Sequence, residues 1–81
     1  MTKKNGYAVI FTEYQDGQPY FTGVVAASAN INLADRYMHE KAQDMLDGGH
    51  RLVERRFDAV RVMGQGGYEC EWEVVRVHIL S

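Results

Sequence analysis

The sequence predicts an α+β domain with two layers, in which a four-stranded antiparallel sheet carries one helix on one face in the order β-β-α-β-β. Two extended runs meet at Asp16-Gly17, a central segment repeats its apolar residues at helical spacing, and a glycine-rich turn separates two further extended runs. We therefore interpret residues 1–81 as a single domain. Its predicted parts are a loose N-terminus (1–5), a hairpin (6–28), a helix (33–47) and a second hairpin (51–80).

The first hairpin is predicted from two runs rich in β-branched and aromatic residues. Asp16 and Gly17, which join the runs, both tolerate a positive φ angle, as a two-residue hairpin turn requires. Pro19 stands at the entrance of the returning run, where its missing N–H costs the ladder little. Gly23 is a candidate position for a β-bulge.

The helix is predicted to begin at Leu33, because Asn32 is a good N-cap and Asp35 follows three residues later. Gly48 and Gly49 supply a left-handed C-terminal cap, so we expect the helix to end at residue 47. The apolar residues form one stripe with three- and four-residue spacing: Ala34, Tyr37, Met38, Ala42, Met45 and Leu46.

The second hairpin is the less regular half of the chain. Residues 51–63 are predicted as one strand, although a helix over the same segment is also compatible with the spacing of its apolar residues. Residues 68–80 alternate apolar and charged positions, but the apolar phase changes near Val74-Val75. The apolar parity changes within 51–63 too, and a shared bulge or strong coiling of the two strands would explain both changes.

Composition favours a cytoplasmic protein without a membrane partner. Nine Lys and Arg against eleven Asp and Glu give a net charge of −2, which provides no general attraction to nucleic acid or an anionic membrane. The apolar runs are too short to span a bilayer or to form the core of a signal peptide. The single cysteine, Cys70, suggests a reducing compartment.

No combination of residues predicts catalysis, a metal site or a cofactor. Cys70 with His39, His50 or His78 would supply a nucleophile and a base, but a cysteine within a strand beside a tryptophan is more typical of a buried apolar residue. Asp35 and His39, four residues apart, are interpreted as a contact on the helix surface rather than as a metal site. The glycines of residues 64–67 precede a strand rather than a helix, so they indicate a turn rather than a phosphate-binding loop.

The most unusual pattern is a stripe of three carboxylates, Glu69, Glu71 and Glu73, on one face of the last strand. Alternate residues of a strand lie about 6.5 to 7 Å apart, which is near the phosphate spacing of nucleic acid. A solvated face paired with Arg61 is the competing interpretation. The candidate partner-binding residues are this stripe and the acidic residues of the polar helix face: Glu69, Glu71, Glu73, Glu40, Asp44 and Asp47.

Four arginines support an alternative function, weak binding of single-stranded nucleic acid: Arg51, Arg55, Arg56 and Arg61. Together with the aromatic residues of the first hairpin they would provide cations and stacking surfaces. Nearby acidic residues cancel much of this positive charge. The aromatic side chains also supply most of the apolar surface of the first hairpin, so they are more often buried in the core than exposed to a ligand.

One helix covers one face of a sheet, so the other face is available to a partner. Because no catalytic group is predicted, we expect a non-catalytic protein-binding module, a small regulator or inhibitor that docks on a larger intracellular complex. A finer hypothesis is a phage or mobile-element inhibitor of host defence that presents the glutamate stripe in place of phosphates. A homodimer through the uncovered sheet face is a further possibility.

Overall fold

Over residues 3–80, the computed structural model contains one helix and one five-stranded antiparallel sheet, with side chains described for residues 5–78. The elements are β1 (Lys3–Gln15), β2 (Gln18–Ser28), α1 (Ile31–Asp47), β3 (Arg51–Arg55), β4 (Ala59–Met63) and β5 (Tyr68–Leu80). The strand order is β2-β1-β5-β4-β3, so β2 and β3 form the two edges. The predicted α+β class with an antiparallel sheet is confirmed, but the predicted number of four strands is wrong.

The additional strand arises because residues 51–63 fold as two strands rather than one. The chain reverses between Arg55 and Ala59, so that Leu52 lies opposite Val62 in an antiparallel pair. This reversal has no Gly, Pro or Asn, and Asp58 is its one residue of a type that favours turns. Backbone hydrogen bonds hold it instead: the Arg56 N–H donates to the Ala59 carbonyl at 2.7 Å, and the Val74 N–H donates to the Asp58 carbonyl at 2.8 Å. The helical alternative for this segment is also wrong.

The first hairpin is confirmed, with Asp16 at φ 53° and Gly17 at φ 83° in its two-residue turn. β1 begins at Lys3, so residues 3–5, which we expected to be loose, belong to the strand. The other two residues of the segment expected to be loose, 1–2, lie outside the described part of the chain.

Two register shifts interrupt the pairing of β1 with β2, and neither falls at Gly23, which lies opposite Phe11. The additional residues on β2 are Tyr20 and Val25. Gly23 has a different role. A Cβ atom at this position would lie 3.2 Å from the Phe21 ring, so the glycine leaves room for that aromatic side chain.

The helix begins two residues earlier than predicted, because Asn30 rather than Asn32 is the N-cap. The Asn30 side-chain oxygen accepts the N–H of Asn32 at 2.8 Å. The predicted end at residue 47 is confirmed, and Gly49, at φ 103°, is the left-handed residue. The His50 N–H donates to the Met45 carbonyl at 3.0 Å, which completes a Schellman cap together with the Gly49 N–H.

The core lies between α1 and one face of the sheet. Ala34, Met38 and Ala42 are the buried residues of the helix, in agreement with the predicted stripe. On the sheet they pack in one cluster with Val9, Val60, Val62, Cys70 and Trp72. Alternation along a strand therefore directs the odd-numbered residues of β5 to the face that α1 does not cover.

A bulge was one expected explanation of the change of apolar phase in β5, but the pairing of this strand contains no bulge. β5 pairs with β1 along its whole length without a register shift, and its pairing with β4 is also regular. However, the first residue of β4, Ala59, lies opposite Glu73. Beyond Glu73, β5 therefore pairs with β1 alone in the described sheet. Val75 and Val77 are half-buried on the uncovered face, whereas Arg76 on the helix side is exposed. The phase therefore follows the change in neighbours.

Within residues 3–80, no helix is both long enough and apolar enough to cross a membrane.

The two asparagines at the start of α1 allow a direct test of the cap. Replacing Asn30 with Ala removes the side-chain acceptor of the Asn32 N–H, and we expect the free energy of unfolding to fall by about 1 kcal/mol in urea denaturation. The matched control, Asn32→Ala, lies inside the helix, where alanine has the better propensity. An equal loss in both variants would contradict the assignment of Asn30 as the cap.

Candidate interaction site

The glutamate stripe lies on the uncovered face of the sheet. Glu69, Glu71 and Glu73 alternate along β5 with Cys70 and Trp72, whose side chains are buried beneath α1. The alternation thus brings the three carboxylates together on one face, as the sequence predicts. Each of them is half-buried.

Arginines on the same face neutralise much of the stripe. Arg61 lies directly opposite Glu71 in the neighbouring strand, with its Nε atom 3.8 Å from Glu69 Oε1. A terminal nitrogen of Arg56 is 3.6 Å from Glu71 Oε2. The Arg61 guanidinium also lies 4.4 Å from the centre of the Tyr14 ring. This arrangement favours the interpretation of a paired, solvated face, in which each ion pair contributes less than about 1 kcal/mol.

The acidic residues of the helix are not part of the same surface. Glu40, Asp44 and Asp47 are exposed on α1, which lies on the other side of the sheet from the stripe. Asp47 accepts a hydrogen bond from Gln43 Nε2 at 2.8 Å. The six acidic candidates therefore form two separate surfaces, and a role for either in partner binding stays a prediction.

The four arginines of the nucleic-acid alternative are dispersed. One terminal nitrogen of Arg55 lies 3.2 Å from His39 Nδ1 on the helix side, whereas Arg56 and Arg61 contact glutamates on the uncovered face. Arg51 is exposed at the opposite end of β3 from Arg55. Arg55 and Arg56 border a common cleft, but Arg51 and Arg61 do not, so the four arginines form no single surface. The Phe11 ring centre is 5.0 Å from that of Trp72, so this aromatic residue belongs to the core.

Cys70 lies in a buried environment that makes its thiol a poor nucleophile. The pKa of the Cys70 thiol is raised to about 11 by burial, an effect that the neighbouring Tyr68 hydroxyl partly opposes and the Glu13 carboxylate reinforces. The Tyr68 hydroxyl donates to Glu13 Oε2 at 2.6 Å. Burial and this bond raise the Tyr68 pKa far above its usual range. A thiol of this kind is protonated at neutral pH.

The three histidines are engaged elsewhere or distant from Cys70. His50 packs its ring edge-on against Tyr68, with centres 6.1 Å apart, and His78 is exposed near the end of β5. His39 Nε2 lies 3.4 Å from Asp35 Oδ1, which is the predicted contact on the helix surface. Among the residues described, no three His, Cys, Asp or Glu side chains are placed to hold a metal ion.

The orientation of His39 follows from its neighbours. The guanidinium of Arg55 only donates hydrogen bonds, so His39 Nδ1 acts as the acceptor. The proton of the neutral ring then resides on Nε2, from which it points to Asp35. This chain of contacts links α1 to the end of β3.

The edge strand β2 is the feature that sequence reasoning missed. Its eleven residues, QPYFTGVVAAS, include no charged side chain, and Tyr20 and Val24 are 59% and 62% exposed. The other edge, β3, has the sequence RLVER and presents three charged side chains. Charge on an edge prevents strand addition, so β3 is protected whereas β2 is open apart from Pro19 and its two bulges.

A small groove of about 220 Å³ runs between β2 and the first half of α1. Its walls are mostly apolar: Ala26, Ala27, Ser28, Leu33, Ala34 and Tyr37. The absence of charge in residues 18–28 is visible in the sequence. Only the strand order, however, identifies this segment as an edge beside a helix.

Comparison of the chain with protein-family models, curated proteins and solved structures finds no significant match. The functional inferences below therefore depend on the geometry of the chain itself.

The burial of Cys70 leads to a prediction on its reactivity with iodoacetamide. Only an accessible thiolate reacts, and the Cys70 side chain is fully buried with a raised pKa, so alkylation of the folded protein near pH 9 should be roughly tenfold or more slower than that of the chain unfolded in urea. The measurement is mass spectrometry of the single alkylated site. Equal rates in the folded and unfolded chains would contradict the burial of the thiol.

Proposed function

We propose that this protein is a non-catalytic protein-binding module that accepts an extended segment of a partner protein as an additional strand on β2. The observation that carries the proposal is the uncharged, exposed edge formed by β2. An open edge offers unpaired N–H and C=O groups, which form main-chain hydrogen bonds with an added strand. Burial of Tyr20 and Val24 would then favour the complex.

The surroundings of β2 define the chemistry of the partner segment. Alternate side chains of an added strand point to opposite faces of the sheet. Those on the helix side would enter the apolar groove beside Leu33 and Tyr37. Those on the other side would lie next to Thr22 and Val24, which pair with Thr12 and Ile10 of β1. We therefore infer a partner segment with small or apolar side chains at alternate positions and little charge.

The bulges limit the length of the new pairing. Tyr20 and Val25 interrupt the regular ladder, which leaves two unbroken stretches, 21–24 and 26–28, and the second of these borders the groove. A short pairing stretch supplies few main-chain hydrogen bonds, so the groove must contribute to both affinity and specificity. This arrangement suits a regulator that binds a specific segment better than a general aggregation surface.

The finer hypothesis of an inhibitor with a phosphate-like stripe has weaker support. Arg56 and Arg61 already neutralise Glu71 and Glu69, so the stripe offers less free negative charge than its sequence suggests. We retain an intracellular regulator as the proposed class, in keeping with the free, buried Cys70. Binding of single-stranded nucleic acid remains the alternative, and the dispersed arginines do not favour it.

The experiment that tests the proposal is selection of binders from a library of random extended peptides, followed by mapping of the bound peptide with backbone amide NMR. We expect selected peptides to be poor in charge and to perturb the amides of β2 and of the groove-lining half of α1. Selected peptides that perturb only β5 and β4 would overturn the proposal and favour the glutamate stripe. A failure of the library to yield any specific binder would also count against it.

A matched pair of variants tests the position of the edge. Val24→Lys places a charge on β2, and we expect it to weaken peptide binding on the order of tenfold or more, measured by fluorescence anisotropy. The control is Val53→Lys, the same substitution of an exposed valine on the other edge strand. Equal effects of the two variants would contradict strand addition on β2.

A second copy of the chain is the competing occupant of this edge. Sedimentation equilibrium of the wild-type chain at several concentrations distinguishes it from a partner peptide. A monomer that binds peptide supports the proposal. A dimer that Val24→Lys dissociates, with no peptide binding, would replace the proposed partner with self-association.

A further inference from the structure

A larger cleft lies on the opposite flank of α1 from β2. It has a volume of about 600 Å³ and lies between the first half of α1, the turn that joins β3 to β4, and the adjoining ends of β1 and β5. Small-molecule sites typically measure about 300 to 1,000 Å³, so the cleft is large enough for one such ligand. It is separate from the groove beside β2, because the strand order puts β2 and β3 at opposite edges.

The floor and one wall of the cleft are apolar. Tyr7 and Val74 form part of its lining from the central strands, and Ile31 contributes from the start of α1. Phe57 stands at the turn between β3 and β4 and is 89% exposed, the highest value among the large apolar residues described. Backbone hydrogen bonds on both sides of Phe57 hold this turn in place. An exposed aromatic ring at the rim of a cleft offers a flat surface to a ligand.

The polar lining of the cleft includes the guanidinium groups of Arg55 and Arg76 and the contact between Asp35 and His39. Arg55 and Arg76 both line the cleft, and neither has a carboxylate within ion-pair distance among the residues described. The remaining donors of Arg55 are available, because its contact with His39 involves one terminal nitrogen. Asp35 is already engaged by His39, which reduces its competition for the two guanidinium groups.

Arg56 and Asp58 complete the charged lining of the cleft. Arg56 pairs with Glu54 and Glu71, so among the residues described Asp58 is the carboxylate that competes with a bound anion.

In contrast to the net charge of −2 of the whole chain, three arginines against two aspartates leave the lining of the cleft with a small excess of positive charge. The start of α1 adds to it, since the N-terminal end of a helix dipole attracts anions. Guanidinium groups bind carboxylate and phosphate oxygens through paired hydrogen bonds. A cleft whose lining combines apolar side chains with Arg55 and Arg76 is therefore complementary to a molecule that carries both an apolar group and an anion.

We propose that the cleft between α1 and the β3–β4 turn binds a small organic anion, in which a phosphate or carboxylate contacts Arg55 and Arg76 and a flat apolar group packs against Phe57. Ligand binding at this position does not require the β2 edge. A module with both sites would bind its partner on one flank of the helix and a small molecule on the other.

The experiment uses four probes in NMR titrations of the intact chain: phenyl phosphate, benzoate, inorganic phosphate and phenol. We expect phenyl phosphate or benzoate to bind at least tenfold more tightly than inorganic phosphate or phenol, because only the first two combine the anion with the ring. The shifted amides should be those of 31–35, 55–58 and 74–76. Equal affinity for all four probes, or shifts centred on β2, would overturn the proposal.

Variants test which residues contact the anionic group of the ligand and which contact its aromatic ring. Arg76→Gln and Arg55→Gln should each weaken binding of phenyl phosphate on the order of tenfold, and Phe57→Ala should weaken it severalfold while leaving binding of inorganic phosphate unchanged. The matched control is Arg51→Gln, which makes the same change of net charge outside the cleft. A loss in the control equal to that of Arg76→Gln would mean binding by net charge alone and would overturn the site. Far-UV circular dichroism of each variant checks that the fold is retained.

Discussion

The packing of α1 on one face of the sheet is the interaction on which the rest of the structure depends. Met38 at the centre of the helix is fully buried, and Ala34 and Ala42 on either side are small enough to bring the helix backbone close to the strands. Burying a side chain of the size of Met38 contributes roughly 1.5 to 3 kcal/mol. Because α1 packs through this face against β1, β2, β4 and β5, the stability of the domain depends largely on this contact.

A single helix leaves the second face and both edges of the sheet without cover, and the chain treats each of them differently. The uncovered face carries interleaved glutamates and arginines together with half-buried aliphatic residues. The β3 edge is charged, whereas the β2 edge is apolar and uncharged. Since charge is the usual protection of an edge, the contrast between the two edges is more informative than the exposure of any single residue.

The helix also divides the open surface into two flanks with different chemistry. Beside β2 the flank is apolar and complementary to an extended segment. Beside the β3–β4 turn it combines Phe57 with the guanidinium groups of Arg55 and Arg76. The contact of Arg55 with His39 ties β3 to the helix, so both flanks are formed around the same rigid element. Two separate binding functions on one small domain are therefore physically compatible.

Local chemistry determined much of this structure from the sequence alone. The Asp16-Gly17 turn, the end of α1 at its glycine cap and the alternation of Glu69, Glu71 and Glu73 each depend on residues close together in the chain. The β3–β4 reversal was missed because backbone hydrogen bonds to Ala59 and Val74, rather than turn residues, hold it.

Only the tertiary structure decided the other features, because they depend on which strands become neighbours. The sequence shows that residues 18–28 lack charge, but pairing of β1 with β5 makes that segment an edge. In the sequence the arginines of residues 51–61 form one basic group. The chain reversal at Phe57, however, places Arg55 on the helix side and Arg61 beside Glu69 on the uncovered face. Charge and spacing are local properties, and the partners that give them a function are brought together by strand order.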